Sequence, residues 1–303
     1  MMQGLKVLAL FLGYGTVGMG GDYAAEAWAG RPSHDVMARV MPDVQADVEV
    51  DVDRDGRWSQ SGECRYEARR SVTLDASSAR ALAVRAGSGD LEVTGVAGTD
   101  RVEAVARACA SDEEALEELT LTLDREGERL VLEAHYPDRS GWNRRGDQYA
   151  RLDLVVEFPR GLAVDVDDSS GGMTVRGTGD LRIDDSSGSI LVEDVAGSLT
   201  IDDSSGEVDV VGVEGDVSVD DGSGEIRISG VGGTVELRDG SGSVEVDDVK
   251  RDVVVLNDGS GSISVRGVGG DFRVRSDGSG GIRHSDVAGV VDIPQKKRRG
   301  RGN

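Results

Sequence analysis

Seven aspartates recur along the second half of the chain, each opening the four-residue phrase Asp-x-Ser-Gly. A row of carboxylates beside backbone carbonyls could bind calcium, a hard cation that takes oxygen ligands. Calcium β-rolls also use eighteen-residue coils, but they carry an acidic glycine-rich turn at both corners, and here the phrase marks one corner only. The phrases begin at Asp168, Asp185, Asp203, Asp221, Asp239, Asp258 and Asp277, and the calcium candidates are Asp203, Asp221, Asp239 and Asp258.

The same phrase also has a purely structural interpretation as a turn. An aspartate side chain accepts the backbone N–H two residues later, serine adds a similar bond, and glycine supplies a positive φ. At an exposed corner the carboxylates would splay into water, which would weaken their mutual repulsion. We favour this structural turn and keep calcium as the alternative.

The period of the phrase predicts the fold. Its closing glycines are spaced 17, 18, 18, 18, 19 and 19 residues apart, which is typical of a stacked repeat array. Each repeat holds two apolar-polar-apolar triplets, the period-two pattern of strands. One triplet follows the Asp-x-Ser-Gly turn, and the other follows a Gly-Val-x-Gly turn or a relative of it. The sequence therefore predicts an all-β solenoid of about seven coils, each with two strands and about eighteen residues.

The register of the coils follows from the side chains. Stacked coils place equivalent residues about 4.8 Å apart, so the inward positions should form apolar columns. Between two such columns, Asp209, Arg227 and Glu245 alternate in sign, as neighbouring strands prefer. The four columns begin Met173-Ile190-Val208, Val175-Val192-Val210, Leu181-Leu199-Val217 and Ile183-Ile201-Val219, and the second of them ends at His284.

Composition divides the chain into five segments. Lys6, the apolar run 7–12 and the small-residue site Ala27-Trp28-Ala29 are typical of a signal peptide. Ser111 and Glu114 match a capping box that starts one short helix. The segments are a signal peptide (1–29), a polar lead-in (30–62), a mostly β N-terminal cap with an early repeat and that helix (63–160), the regular solenoid (161–293) and a basic disordered tail (294–303).

The chain has two cysteines, Cys64 and Cys109. In an exported protein they are expected to form one disulfide. The alternative, a reactive or metal-binding pair, lacks neighbouring histidines or cysteines at metal-ligand spacing.

Charge and motif spacing argue against several classes of function. A net charge of −23 is unsuited to nucleic acid, whose phosphates require a basic surface. His34, His135 and His284 are far apart and match no catalytic triad, so we expect no enzyme. The segment Gly13–Gly18 matches a dinucleotide-binding fingerprint, but no βαβ pattern follows it, and we predict no cofactor apart from the calcium alternative.

Two cationic segments could contact a partner. Trp142, Arg144 and Arg145 lie on a predicted loop that could bind a glycan or an anionic surface, although a merely mobile loop is the simpler interpretation. The tail 296–301 holds five cations in six residues and could touch anionic lipid or polyanion, or only aid solubility.

The chain resembles the bacterial putative-adhesin family of β-strand repeat proteins. The segments that carry the resemblance are Gly89–Gly95, Val155–Pro159 before Leu162–Val166, Ala108–Asp112 and the serial Ser-Gly-x-Val/Ile-x-Val strands. The resemblance implies an exported, non-enzymatic β-solenoid of the periplasm or cell surface.

We therefore expect an adhesin or envelope scaffold that binds a surface, a glycan or an envelope protein. The alternatives are a calcium-stabilised secreted β-roll and an accessory or sensor protein of envelope stress. No stretch after the signal peptide approaches the ~20 apolar residues of a membrane span. Calcium-dependent folding, cell binding and pull-down of an envelope protein distinguish the three.

Overall fold

The computed structural model describes residues 64–138 and 148–294, which form twenty-one strands and one short helix. Alternating Val, Ile and Leu favour strands throughout. The first part holds β1 (Tyr66–Asp75), β2 (Ala81–Arg85), β3 (Leu91–Val96), β4 (Arg101–Ala110), α1 (Glu113–Glu118), β5 (Thr120–Glu126), β6 (Arg129–His135) and β7 (Ala150–Pro159). The repeating part holds β8 (Ala163–Asp168), β9 (Gly171–Thr178), β10 (Leu181–Asp185), β11 (Gly188–Val195), β12 (Leu199–Asp203), β13 (Gly206–Val213), β14 (Val217–Asp221), β15 (Gly224–Val231), β16 (Val235–Asp239), β17 (Gly242–Val249), β18 (Val253–Val268), β19 (Phe272–Val274), β20 (Asp277–Val287) and β21 (Val291–Asp292).

The strands stack into two parallel walls, which confirms the predicted β-solenoid. Successive coils pair residue for residue, so that Val217 of β14 lies between Leu199 of β12 and Val235 of β16. The A wall contains β6, β2, β8, β10, β12, β14, β16, the start of β18, β19 and β21. The B wall contains β7, β3, β9, β11, β13, β15, β17, the end of β18 and β20.

The N-terminal coils do not stack in chain order. Strand β2 pairs in parallel with both β6 and β8, and β3 pairs with both β7 and β9. The coil of residues 81–96 is therefore stacked between the coil formed by β6 and β7 and the coil formed by β8 and β9, although it comes earlier in the chain than both. The early repeat is thus a full member of the solenoid.

Antiparallel strands lie beyond the outermost coil. Strand β5 pairs with β6, β4 pairs with β7, and β1 pairs with β4. An uncovered strand edge invites pairing with other chains, so these strands protect the N-terminal end of the solenoid.

The core lies between the two walls and has the predicted register. Val208, Val210, Val217 and Val219 have at most 1% of their surface exposed. Burying each aliphatic side chain stabilises the fold by about 1.5–3 kcal/mol before entropy costs. The two B-wall columns end in β20, where His284 is exposed and its ring lies at a tilt to that of Phe272 in β19, with 6.0 Å between ring centres.

Two local features differ from or refine the expectations. Asp112, not Ser111, caps the short helix: its carboxylate accepts the Ala115 N–H at 2.9 Å, and the Ser111 hydroxyl donates to Asp112 instead. In the coil that closes at Gly261, the register slips between Leu237 and Arg238, which accommodates one additional residue in β18. This slip accounts for the first spacing of 19.

Candidate functional site

The aspartates of the Asp-x-Ser-Gly phrases form one row at the carboxyl ends of the A-wall strands. Strand pairing aligns them one per coil, and the row continues into Asp277 at the start of β20. We call this set the buried row, because its first six members have only 1–4% of their surface exposed: Asp168, Asp185, Asp203, Asp221, Asp239 and Asp258. The expectation that these carboxylates splay into water was wrong.

The inward direction follows from strand geometry. Side chains of a strand alternate between its two faces, so Val217, Val219 and Asp221 all point the same way. The first two belong to the core, and the aspartate therefore turns towards the interior as well. The alternation was visible in the sequence and could have identified the row as buried.

One oxygen of each carboxylate in the middle of the row takes part in the predicted turn. The backbone N–H of Ser205 donates to Asp203 Oδ1, and that of Ser223 donates to Asp221 Oδ1, both at 3.1 Å. These bonds confirm the structural interpretation of the aspartate. The serine hydroxyl acts differently from expectation, since Ser205 Oγ donates to the carbonyl of Ser186 in the preceding coil at 3.4 Å.

The last residue of the phrase is glycine because the coils approach each other there. Gly224 has φ of 156°, and a Cβ added to it would lie 1.5 Å from the carbonyl oxygen of Gly206. The same contact recurs from coil to coil, so any side chain would push two coils apart.

The second oxygen of several carboxylates is buried and receives no hydrogen bond. This is the case for Oδ2 of Asp168, Asp185, Asp203 and Asp221. Burying an ionised oxygen without a donor is costly, because its hydration is lost and not replaced. The row therefore needs some other form of neutralisation.

Burial also shifts the proton affinity of the row. Loss of hydration raises the pKa of Asp168 and of Asp203 to about 6, against the lowering effect of their backbone N–H donors. The pKa of Asp239 is raised to about 7 by burial, by the charges of Asp221 and Asp258, and by a hydrogen bond with the Asp258 carboxyl group. Burial raises the pKa of Asp185 and Asp221 in the same direction.

A second row of acids lies one residue earlier and faces the solvent. We call Asp167, Asp184, Asp202 and Asp220 the exposed row; all four are exposed. Arginines on the outer face of the A wall approach three of its members. The pairs are Arg85–Asp167, Arg182–Asp184 and Arg238–Asp220, with nitrogen–oxygen distances of 3.7, 3.9 and 4.0 Å.

The calcium candidates Asp203, Asp221, Asp239 and Asp258 all belong to the buried row. Calcium takes six to eight oxygens. Within residues 64–138 and 148–294, no group of three or more acidic, histidine or cysteine side chains is placed to hold a metal ion. Calcium binding stays a prediction.

The other corner of the coil carries a shallow groove that the sequence analysis did not single out. Its lining includes Glu193, Asp194, Glu214, Asp248 and Lys250. The backbone there has positive φ at one position per coil, filled by Gly212 and Gly230 in some coils and by Asp194 and Asp248 in others.

The remaining predicted residues have different outcomes. The Cys64–Cys109 disulfide is confirmed, with 5.5 Å between the two Cα atoms. Trp142, Arg144, Arg145 and the tail 296–301 lie outside the described residues. His135 contacts the Thr122 hydroxyl at 2.9 Å, far along the chain from His284.

The described residues contain no helix long and apolar enough to cross a membrane. No family model matches the sequence, and no curated protein matches it.

Two solved structures are similar to the chain at 13% identity. One is a putative cell adhesion protein from Clostridium sporogenes, with a TM-score of 0.28 over 76% of this chain and 100% of that one. The other is a putative adhesin from Parabacteroides distasonis, with a TM-score of 0.26 over 75% and 97% of the two chains. Both descriptions agree with the resemblance to the putative-adhesin family.

Proposed function

We propose that the protein is an exported, non-enzymatic adhesin or envelope scaffold that binds a surface or protein partner through its repeated faces. The observation that carries this proposal is the regularity of the coils. Each repeating coil presents one outward face on each wall, and equivalent positions of successive coils stack in register along both faces. Such a surface suits an extended partner that is contacted at many equivalent points.

The corners support a binding role over an enzymatic one. Only two residues, Ser204 and Ser205, separate β12 from β13, and three, at positions 214–216, separate β13 from β14. Catalytic clefts are commonly built from longer loops on a rigid scaffold. Corners this short leave little material for such a cleft.

The disulfide and the charge support the location and the kind of partner. The disulfide joins the buried Cys109 to the partly exposed Cys64, and disulfides persist in oxidising compartments, which is in keeping with the predicted signal peptide. The strongly acidic balance disfavours nucleic acid and favours a partner surface that carries cations.

Binding of the purified, oxidised protein to bacterial cells and to immobilised envelope extract tests the proposal. Two matched variants each reverse two outward acids: Asp184→Lys with Asp202→Lys on the A wall, and Glu193→Lys with Glu207→Lys on the B wall. If one repeated face makes the contact, its variant should bind at least about tenfold more weakly while the other resembles the wild type.

Two outcomes would contradict the proposal. One is binding no stronger than that of an unrelated protein of similar charge, and the other is binding that neither variant weakens. Capture of an envelope protein without cell binding would instead favour the accessory or sensor role.

A further inference from the structure

We propose that the buried row is a proton-binding ladder: its carboxyl groups take up protons as the solenoid folds and share them between neighbouring coils. This would make the solenoid more stable in mildly acidic solution than in mildly alkaline solution. The inference concerns the corner itself and does not depend on the partner proposed above.

The first support is the burial of oxygens that lack donors. Asp185, Asp203 and Asp221 have 2–3% of their surface exposed, and Oδ2 of each accepts no hydrogen bond from the protein. A buried carboxylate in this position keeps its charge only at a high cost in hydration. A protonated carboxyl group has no such charge and can donate its O–H to the carboxyl group of the next coil.

The second support is the spacing of the row. Strand pairing aligns Asp203 with Asp185 on one side and with Asp221 on the other. Neighbouring strands are about 4.8 Å apart, which lets carboxyl groups of adjacent coils reach each other. Asp239 and Asp258 are both only 1% exposed and are neighbours in the row, so burial and then the charges of Asp221 and Asp258 raise the pKa of Asp239.

The third support is the character of the groups that face the row. For Asp203 the largest charge effects come from the carboxyl groups of Asp221 and Asp185, and both of them raise its pKa. The B-wall residues turned inwards beside the corner are apolar, such as Ile190 and Val208. On the same strand, Asp202 points to the solvent.

Among the described residues, the arginines of the A wall form ion pairs with the exposed row and not with the buried row. Arg182 and Arg238 lie on the outer face and approach Asp184 and Asp220 there. The four core strands β10, β12, β14 and β16 therefore supply cations outside and none inside. Protons from the solvent are the smallest species that can neutralise the inner carboxylates.

The direction of the pH effect follows from linkage. Asp203 and Asp239 have folded pKa values of about 6 and about 7, above the value near 3.9 of an unfolded aspartate. The folded state therefore binds more protons, and their stabilisation is complete below about pH 4 and is lost as the pH rises through 6 and 7. Other carboxylates oppose this trend at low pH, so the comparison is made between about pH 8 and about pH 5, and a matched variant separates the row from other titrating groups.

Urea unfolding of the oxidised protein between about pH 8 and about pH 5, with a chelator present, tests the ladder. As the pH falls from about 8 to about 5, a group with a folded pKa near 6 lowers the unfolding equilibrium constant about tenfold. The factors of several such groups multiply. The double variant Asp203→Asn with Asp221→Asn should be more stable than the wild type at about pH 8. Between about pH 8 and about pH 5, the unfolding equilibrium constant of this variant should change by a factor at least about tenfold smaller than that of the wild type. The reason is that asparagine is neutral at every pH and still accepts the serine N–H.

The matched control is Asp202→Asn with Asp220→Asn in the exposed row, which removes the same charge. It should change the pH profile far less than the buried-row variant, because Asp220 is the smallest of the causes that act on the pKa of Asp221. The infrared absorption of protonated carboxyl groups at neutral pH gives a second readout on the unmodified protein. It should be present in the wild type and weaker in the buried-row variant.

Three results would overturn the proposal. A wild-type stability that decreases as the pH is lowered from about 8 to about 5 would contradict proton uptake by the row. Absence of the protonated-carboxyl absorption at neutral pH would contradict it directly. A rise in wild-type stability on adding calcium at about pH 8, lost in the buried-row variant, would show that a metal ion rather than protons neutralises the row.

Discussion

The two corners of each coil meet different physical demands. At the Asp-x-Ser-Gly corner, the Cβ position of Gly224 is 1.5 Å from a backbone oxygen of the previous coil. At the opposite corner, the Cβ position of Gly230 is 3.6 Å from its nearest neighbour, an ordinary contact distance. Both glycines belong to β15, so one strand contains a closed corner and an open corner.

This difference accounts for how uniform each corner is along the chain. The closed corner has glycine at the end of all seven phrases, because no side chain fits between the coils. The open corner needs only a positive φ, and Asp194, Asp248 and Asp286 supply it with φ between 53° and 61°. Repetition at the closed corner therefore reflects steric necessity and need not signal a ligand.

The largest effect is expected from placing a methyl group at each corner of β15. Gly224→Ala should destabilise the protein by at least about 3 kcal/mol, because two coils must separate to admit the new Cβ. Gly230→Ala should cost about 1–2 kcal/mol, the strain of alanine at positive φ. Urea unfolding followed by circular dichroism measures both changes.

The ranking of these two variants is what matters. Equal costs at Gly224 and Gly230 would mean that positive φ, and not the approach of the coils, makes glycine necessary at the closed corner.

A smaller effect is expected from Gly230→Asp at the open corner. Aspartate tolerates positive φ better than alanine does, and Asp248 already adopts this conformation in the next coil. The cost should be below about 1 kcal/mol and smaller than that of Gly230→Ala, measured by the same urea unfolding. A larger cost than for alanine would show that the open corner also resists acidic side chains.

The repeating coils could be predicted from the sequence because their information is local. The alternation of Val208, Val210, Val217 and Val219 determines which side chains face the core, and the period determines which coils are neighbours. The order of the N-terminal coils could not be predicted in this way. The position of β2 between β6 and β8 depends on pairing between distant segments, which residue spacing does not record.

The candidate site was located correctly in the sequence but given the wrong environment. The phrase identified the corner, and the turn bonds of Asp203 and Asp221 followed from the chemistry of aspartate. Their burial was missed because a turn was assumed to be exposed. The alternation that places Val219 inside also places Asp221 inside, and it outweighs the usual exposure of turns.

The most direct measurement is a carbon NMR titration of the aspartate carboxyl groups in the oxidised, folded protein. If the closed corner holds a proton-binding ladder, Asp203 and Asp239 should titrate with midpoints of about 6 and about 7. Midpoints for both near 3.9, the ordinary value of an exposed aspartate, would contradict the account.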